Sequence, residues 1–127
     1  MQSTKIRILL VDDQPAVLKG LKMLFALESD FQIVAEASDG PTAVKRVVEI
    51  RPDVVVMDLE LPGMDGIDAA RALLQFEPGT IVIMLSIRTD PTSQRRAREA
   101  GVVAFVEKRD GAGRLMREIR AACSLKE

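Results

Sequence analysis

Four consecutive large apolar residues, Val54-Val55-Val56-Met57, stand between two carboxylates, Asp53 and Asp58. Arg51-Pro52 turns the chain into the run, and a Gly/Pro-rich stretch, Leu59-Glu60-Leu61-Pro62-Gly63-Met64-Asp65-Gly66, leads out of it. An apolar run bounded by turn residues reads as a strand buried on both faces. Such a strand belongs inside an open parallel sheet, where ligands bind beyond the carboxyl ends of the strands. Asp58 is thereby placed at the tip of a central strand, where chemistry is done.

The rest of the chain repeats the same alternation. Residues 5–11 read as a first buried strand ending on Asp12-Asp13, and Pro15 fits the first turn of the helix that follows, with Val17, Leu21, Leu24 and Phe25 as its apolar stripe. Residues 31–37 alternate, with Phe31, Ile33, Ala35 and Ala37 on one face, as in an edge strand half exposed to water. Asp39-Gly40-Pro41 is expected to break the chain before a second helix at 42–51 with Val44, Val47 and Val48 inward. Ile67, Ala70 and Leu74 mark a third helix ended by Pro78-Gly79, and residues 80–86 form another apolar strand ending on Ser86. Pro91 opens a fourth helix that Gly101 stops. A fifth strand, 102–106, ends near Lys108, and Leu115, Met116, Ile119, Ala122 and Cys123 mark a last helix. Strand and helix alternating five times predict an α/β domain, a five-stranded parallel sheet with helices on both faces. The fourth helix carries few and small apolar residues, Ala97 and Ala100, among Arg95, Arg96 and Arg98, and is expected to be loosely held.

Composition narrows the chemistry. The chain has no histidine, which excludes a Ser-His-Asp or Cys-His nucleophile, a His-ligated metal and a phosphohistidine carried here. A single cysteine, Cys123, makes neither an internal disulfide nor a zinc site and reads as a core or half-buried thiol. With 18 basic and 19 acidic side chains the formal charge is −1, and four Phe without Trp or Tyr offer no stacking platform, so direct nucleic-acid binding is not expected. No apolar run reaches membrane-spanning length, and the start is not a signal peptide, so a cytoplasmic location is expected. Charge is unevenly spread: residues 1–87 carry 8 basic and 13 acidic groups, residues 88–127 carry 10 and 6. The second part reads either as ordinary surface or as a basic face for an acidic partner.

Asp12, Asp13, Asp58, Ser86 and Lys108 all fall at the same end of different strands and converge on one rim. Three converging carboxylates repel, so their pKa values rise or a cation binds. Oxygen-only ligands favour a hard ion such as Mg²⁺. A carboxylate beside Mg²⁺ is a competent nucleophile toward phosphorus. Lys108 adds a mobile positive charge and Ser86 a hydrogen-bond donor.

These residues, with Met57-Asp58-Leu59-Glu60-Leu61-Pro62-Gly63-Met64-Asp65-Gly66 and Phe105, resemble the receiver domain of bacterial two-component response regulators. The likeness runs from about residue 5 to 125, and Asp12-Asp13-Gln14-Pro15 with the helix after it is most similar to the NarL/LuxR class. The resemblance implies a flavodoxin-like (βα)5 fold and a phosphorylation switch. Asp58 would accept a phosphoryl group from a sensor histidine kinase, a phosphotransfer protein or a small phosphodonor. Asp13, Asp58 and the backbone carbonyl of Glu60 would bind Mg²⁺, with Asp12 helping through water. Lys108 would bridge the phosphoryl oxygens, Ser86 would move to hydrogen-bond them, and Phe105 would turn inward behind it. The face of the fourth helix, fifth strand and fifth helix would then repack, a surface open to homodimerisation. No enzymatic activity beyond the domain's own phosphorylation and dephosphorylation is implied.

Three positions depart from the family pattern. Glu60 puts an extra negative charge two residues past Asp58, Ile87 stands where a small residue is usual, and Arg88 lies two residues past Ser86. Ile87 is expected to narrow the pocket and an Arg88–Glu60 pair to cover it in part, tuning phosphoryl lifetime. A pseudo-receiver, the same fold used as a constitutive protein-binding module, is the alternative reading. A haloacid-dehalogenase-like phosphatase is a third, disfavoured because Glu60 stands where its second Asp belongs and no cap domain is seen. Neither G-x-G-x-x-G nor a Walker motif follows the first strand. The chain reads as one receiver domain, residues 1–127, without a DNA-binding domain, and the NarL/LuxR likeness favours a piece of a longer transcription regulator over a stand-alone receiver.

Overall fold

The computed structural model describes residues 5–88 and 90–126, the last by its backbone alone. Residues 1–4 and 127, on which the readings of the start and of the chain end fall, lie outside them. Strands and helices alternate as β1 (Ile6–Val11), α1 (Pro15–Phe25), β2 (Phe31–Ala37), α2 (Gly40–Ile50), β3 (Val54–Asp58), α3 (Gly66–Phe76), β4 (Ile81–Ser86), α4 (Pro91–Glu99), β5 (Ala104–Glu107) and α5 (Gly111–Lys126), with a 3-10 turn at Lys108–Asp110 before α5. All pairings are parallel and the strand order is β2-β1-β3-β4-β5. The order reverses between β1 and β3, so the crevice of such a sheet opens above those two strands.

Alternate side chains of each central strand feed two cores. Val55, Met57, Leu9, Val82 and Met84 pack with α2, α3 and α4. Val54, Val56, Ile8, Leu10 and Ile83 pack with Leu18 and Phe25 of α1 and Leu115 and Ile119 of α5. A strand covered on both faces has no polar side, which is why the β3 run is unbroken. Among the described residues, no helix is long and apolar enough to cross a membrane.

Three aspartates start helices. Asp39, Asp65 and Asp90 accept the backbone N–H of Thr42, Asp68 and Ser93 at 2.7, 2.8 and 2.9 Å. These bonds hold the Asp39 and Asp90 carboxyls below the usual carboxylate range. Gly40-Pro41, expected as a break, is instead the first turn of α2, because Asp39 caps it and Pro needs no N–H there.

The inward faces also differ from expectation. In α2 the buried residues are Gly40, Ala43 and Val47, with Val44 at the margin and Val48 exposed. In α1 they are Leu18 and Phe25, and Leu24 points outward. Strand β5 runs from Ala104 to Glu107 rather than from Val102: the N–H of Val102 turns back to Ala97 O at the end of α4, and that of Val103 makes the first bond to β4, at Val82 O. In β2, Ile33 pairs with Ile8 but Ala35 pairs with Leu9, so Val34 is an extra, bulged residue. The shift turns the strand over: Phe31 and Ile33 pack on the α1/α5 side, Ala35 and Ala37 on the α2 side. The four therefore do not share one face. The strand is at the sheet edge, as its alternation indicated.

Helix α4 is thinly anchored: its buried residues are Ser93 and Ala97. Cys123 is half-buried and packs against the α1/α5 core. Four of the ten basic residues at 88–127 pair with the acidic first part of the chain. Arg88, Arg96, Lys108 and Arg120 reach back to Glu60, Asp65, Asp12 and the Glu28/Asp30 pair. Arg109 and Arg114 pair instead within the same part, with Glu107, Asp110 and Glu118.

Far from the crevice, Arg7 closes the end of α2. Its guanidinium donates to the carbonyls of Ile50 and Arg51 at 2.9 and 2.7 Å, and its backbone N–H donates to Asp53 at 2.8 Å. These carbonyls are helix-end acceptors without an intrahelical partner. Arg7→Ala is expected to cost about 1–2 kcal/mol and to lower Tm by about 3–8 °C, while leaving site chemistry unchanged. A thermal melt paired with a phosphoryl-uptake rate checks both halves of this expectation.

Candidate phosphoryl-acceptor site

The carboxyl ends of β1 and β3 bring three carboxylates together. Ligand oxygens of Asp12, Asp13 and Asp58 all lie within 4.8 Å of one another. Asp58 is the last residue of β3 and 6 % exposed, Asp12 follows β1 and is 2 % exposed, and Asp13 is open to solvent. Asp12 is tethered by its backbone N–H to Ala37 O and accepts the Gln14 N–H at 2.9 Å. Asp58 accepts the Glu60 N–H at 3.3 Å.

Lys108, first residue of the 3-10 turn after β5, reaches across from the far side of the rim. Its Nζ donates to Asp12 Oδ2 at 3.2 Å and stands 3.6 Å from Asp58 Oδ1. One ammonium does not balance three carboxylates. Burial, and next the charge of Asp12, push the Asp58 carboxyl up to about 6, against the opposing pull of Lys108 and the Glu60 N–H. An all-oxygen donor set with a surplus of negative charge fits a hard divalent cation such as Mg²⁺.

Ser86 closes β4 and is buried, and its Oγ accepts the Arg88 N–H at 2.9 Å. Phe105 is half-buried in β5 and packs against the α2–α4 core. Arg88 does pair with Glu60, Nη2 to Oε2 at 3.3 Å. Ile87 is 71 % exposed, so in this form it stands in solvent rather than filling the cleft.

Two participants were not assigned from the sequence. Gly66 sits so close to β3 that a Cβ there would run into the Asp58 carbonyl oxygen and stand 3.0 Å from Leu59 Cα. Its N–H donates to Leu59 O at 2.7 Å, folding the loop back on the site. The signal was a glycine opening a helix directly after a capping aspartate. Arg96 pairs with Asp65, Nη2 to Oδ2 at 3.5 Å, and only the fold brings those two together.

An acidic crevice over a 2-1-3-4-5 parallel sheet, with a lysine reaching in from the turn after the last strand, is the arrangement of a receiver-type signalling domain. Residues 8–120 match the response regulator receiver domain family, and the chain belongs to it. It is 32% identical over 120 residues to the transcriptional regulatory protein DegU of Brevibacillus brevis, covering 94% of this chain and 51% of that protein. It is also similar to a LuxR-family two-component response regulator from Aurantimonas sp. SI85-9A1, with a TM-score of 0.91, 34% identity and coverage of 95% of this chain and 86% of that one. A third likeness is to the CheX-CheY-BeF3-Mg complex from Borrelia burgdorferi, with a TM-score of 0.88, 26% identity and coverage of 94% and 90%. The resemblance to the LuxR/NarL class of response regulators holds in sequence and in fold. The chain spans about half the length of the transcription regulators it matches.

Proposed function

We propose that this domain is a phosphorylation switch in which Asp58 takes a phosphoryl group from a histidine kinase or phosphotransfer protein. The observation that carries the reading is the buried Asp58 carboxylate, set among Asp12, Asp13 and the Lys108 ammonium. An Asp58 oxygen attacks phosphorus. The bond from phosphorus to the donor's imidazole nitrogen breaks, and its electron pair leaves with the donor, which takes a proton from solvent. Asp12, Asp13, Asp58 and the backbone carbonyl of Glu60 would hold Mg²⁺, which when bound neutralises charge on the transferred group. Lys108, already within reach of Asp58, follows the new oxygens.

The Ser86 hydroxyl, whose oxygen accepts the Arg88 N–H, then turns its own O–H to the phosphoryl group, and Phe105 turns inward behind it. The face of α4, β5 and α5 changes with them and serves a second copy or an output domain, with transcription as the output of a longer parent protein. Residues 1–127 act as one receiver unit in that parent, at the cytoplasmic end of a kinase pathway, without binding nucleic acid or catalysing any other reaction. An apolar groove lined by Val17, Gly20, Leu21 and Ala112 runs up to Lys108 and offers the phosphodonor protein a seat beside the site.

Intact mass after incubation with phosphoramidate is the test, with and without Mg²⁺ and alongside Asp58→Ala. One phosphoryl group, dependent on Mg²⁺ and absent from the variant, is expected. Uptake that persists in Asp58→Ala overturns the assignment. No uptake from either phosphoramidate or a phosphohistidine donor transfers the case to the constitutive binding module.

A further inference from the structure

Two ion pairs tie the same two segments together. Arg88, just past β4, reaches Glu60, and Arg96, inside α4, reaches Asp65. Both anions belong to the loop that leaves Asp58, and both cations to the chain that leaves Ser86. The N–H of Arg88 holds the Ser86 hydroxyl, so the residue that pairs with the loop also holds the hydroxyl. The buried residues of helix α4 are small, Ser93 and Ala97, so its apolar anchorage is slight.

We propose that these two pairs form a strap holding α4 in its unphosphorylated position, with Glu60 and Arg96 as positioning residues that set how readily the domain switches. The inference rests on the phosphoryl-acceptor reading above. The Ser86 oxygen accepts the Arg88 N–H, so as its hydroxyl turns toward an oxygen on Asp58 the segment held to it is drawn along, and that segment carries both cations. Opening the strap is therefore a cost borne only by the switched form. Exposed pairs of this kind shift an equilibrium by up to about five-fold each. A ligand that selects a partly populated form binds more weakly by the fraction populated, so loosening the strap tightens binding by the same factor. Salt weakens exposed pairs, so the strap also makes switching depend on ionic strength.

The experiment follows beryllofluoride binding with Mg²⁺ by ¹⁹F NMR in the wild type, Arg96→Gln and Arg96→Lys, at low and high salt. Amide exchange over residues 91–99 is measured in the same unmodified proteins. Asp65 is left alone because it caps α3. Arg96→Gln is expected to bind about two- to five-fold more tightly than the wild type. Its exchange over α4 should rise by a similar factor, Arg96→Lys should behave as the wild type, and the difference should close at high salt. Binding without any effect of Arg96→Gln on affinity, exchange or salt slope overturns the strap and leaves the phosphoryl reading standing. No beryllofluoride binding by any of the three proteins overturns both.

Discussion

Gly66→Ala is expected to lower Tm by about 10 °C and to slow phosphoryl uptake about a hundred-fold. The new Cβ would meet backbone, the Asp58 carbonyl oxygen and Leu59 Cα, neither of which can rotate aside. Relief requires either a shift of the end of β3 or an unwound first turn of α3. The first moves Asp58 relative to Asp12 and Lys108, and misplacing a reacting group by about 1 Å costs on the order of a hundred-fold. The second breaks the Asp65 cap and the bond from Gly66 N–H to Leu59 O. Overpacking of this kind costs about 1–3 kcal/mol, hence the shift in melting. Gly20→Ala is the matched control. Nothing lies within 4 Å of the added methyl, and the residue is inside α1, so a gain of about 0.5–1 kcal/mol is expected there. A Gly66→Ala protein that melts with the wild type and takes up phosphate at the same rate would show that the close approach at β3 is not obligatory.

Asp58→Asn is expected to stabilise the protein at pH 7.5 in chelator by about 1–3 kcal/mol, and progressively less as pH falls toward 4. The Asp58 carboxyl titrates at about 6 in the folded protein, raised first by burial and then by Asp12, against an unfolded value of 3.8. Between those values the folded state holds more protons than the unfolded state, so stability falls as pH rises through the window. Above about pH 6 the whole penalty is present, about 1.4 kcal/mol for each pH unit of displacement. Asparagine carries no charge and escapes it. A divalent cation bound only by the folded wild type recovers stability by mass action, so added Mg²⁺ should narrow the gap. Urea unfolding at pH 4.5, 6 and 7.5 reads the difference. A stabilisation that does not change with pH would rule out Asp58 ionisation as its source.

Much of this site was legible because parallel topology does the collecting. Every strand in such a sheet ends at the same rim, so Asp12, Asp58, Ser86 and Lys108 converge once each is recognised at a strand end. The Arg88–Glu60 pair was legible for the same reason, since each stands two residues beyond a rim residue. Arg96 and Asp65 were not, because their meeting depends on how α4 lies over the loop. The faces of α1 and α2 were misjudged where an apolar residue, Leu24 or Val48, points to water. Periodicity counts apolar residues and does not say which of several overlapping stripes meets the sheet. The bulge at Val34 was hidden because Phe31, Ile33, Ala35 and Ala37 are apolar on whichever face they fall.

That bulge bears on what the protein does at high concentration. A sheet of five strands leaves two rows of unsatisfied amides and carbonyls, and a long straight row is a template onto which another chain can add. In β2 the row is interrupted midway, after three paired residues on one side of Val34 and before three on the other. A strand arriving from a neighbour would lose register after a few hydrogen bonds. The irregularity that reverses the packing of β2 also makes this edge a poorer template for a further strand.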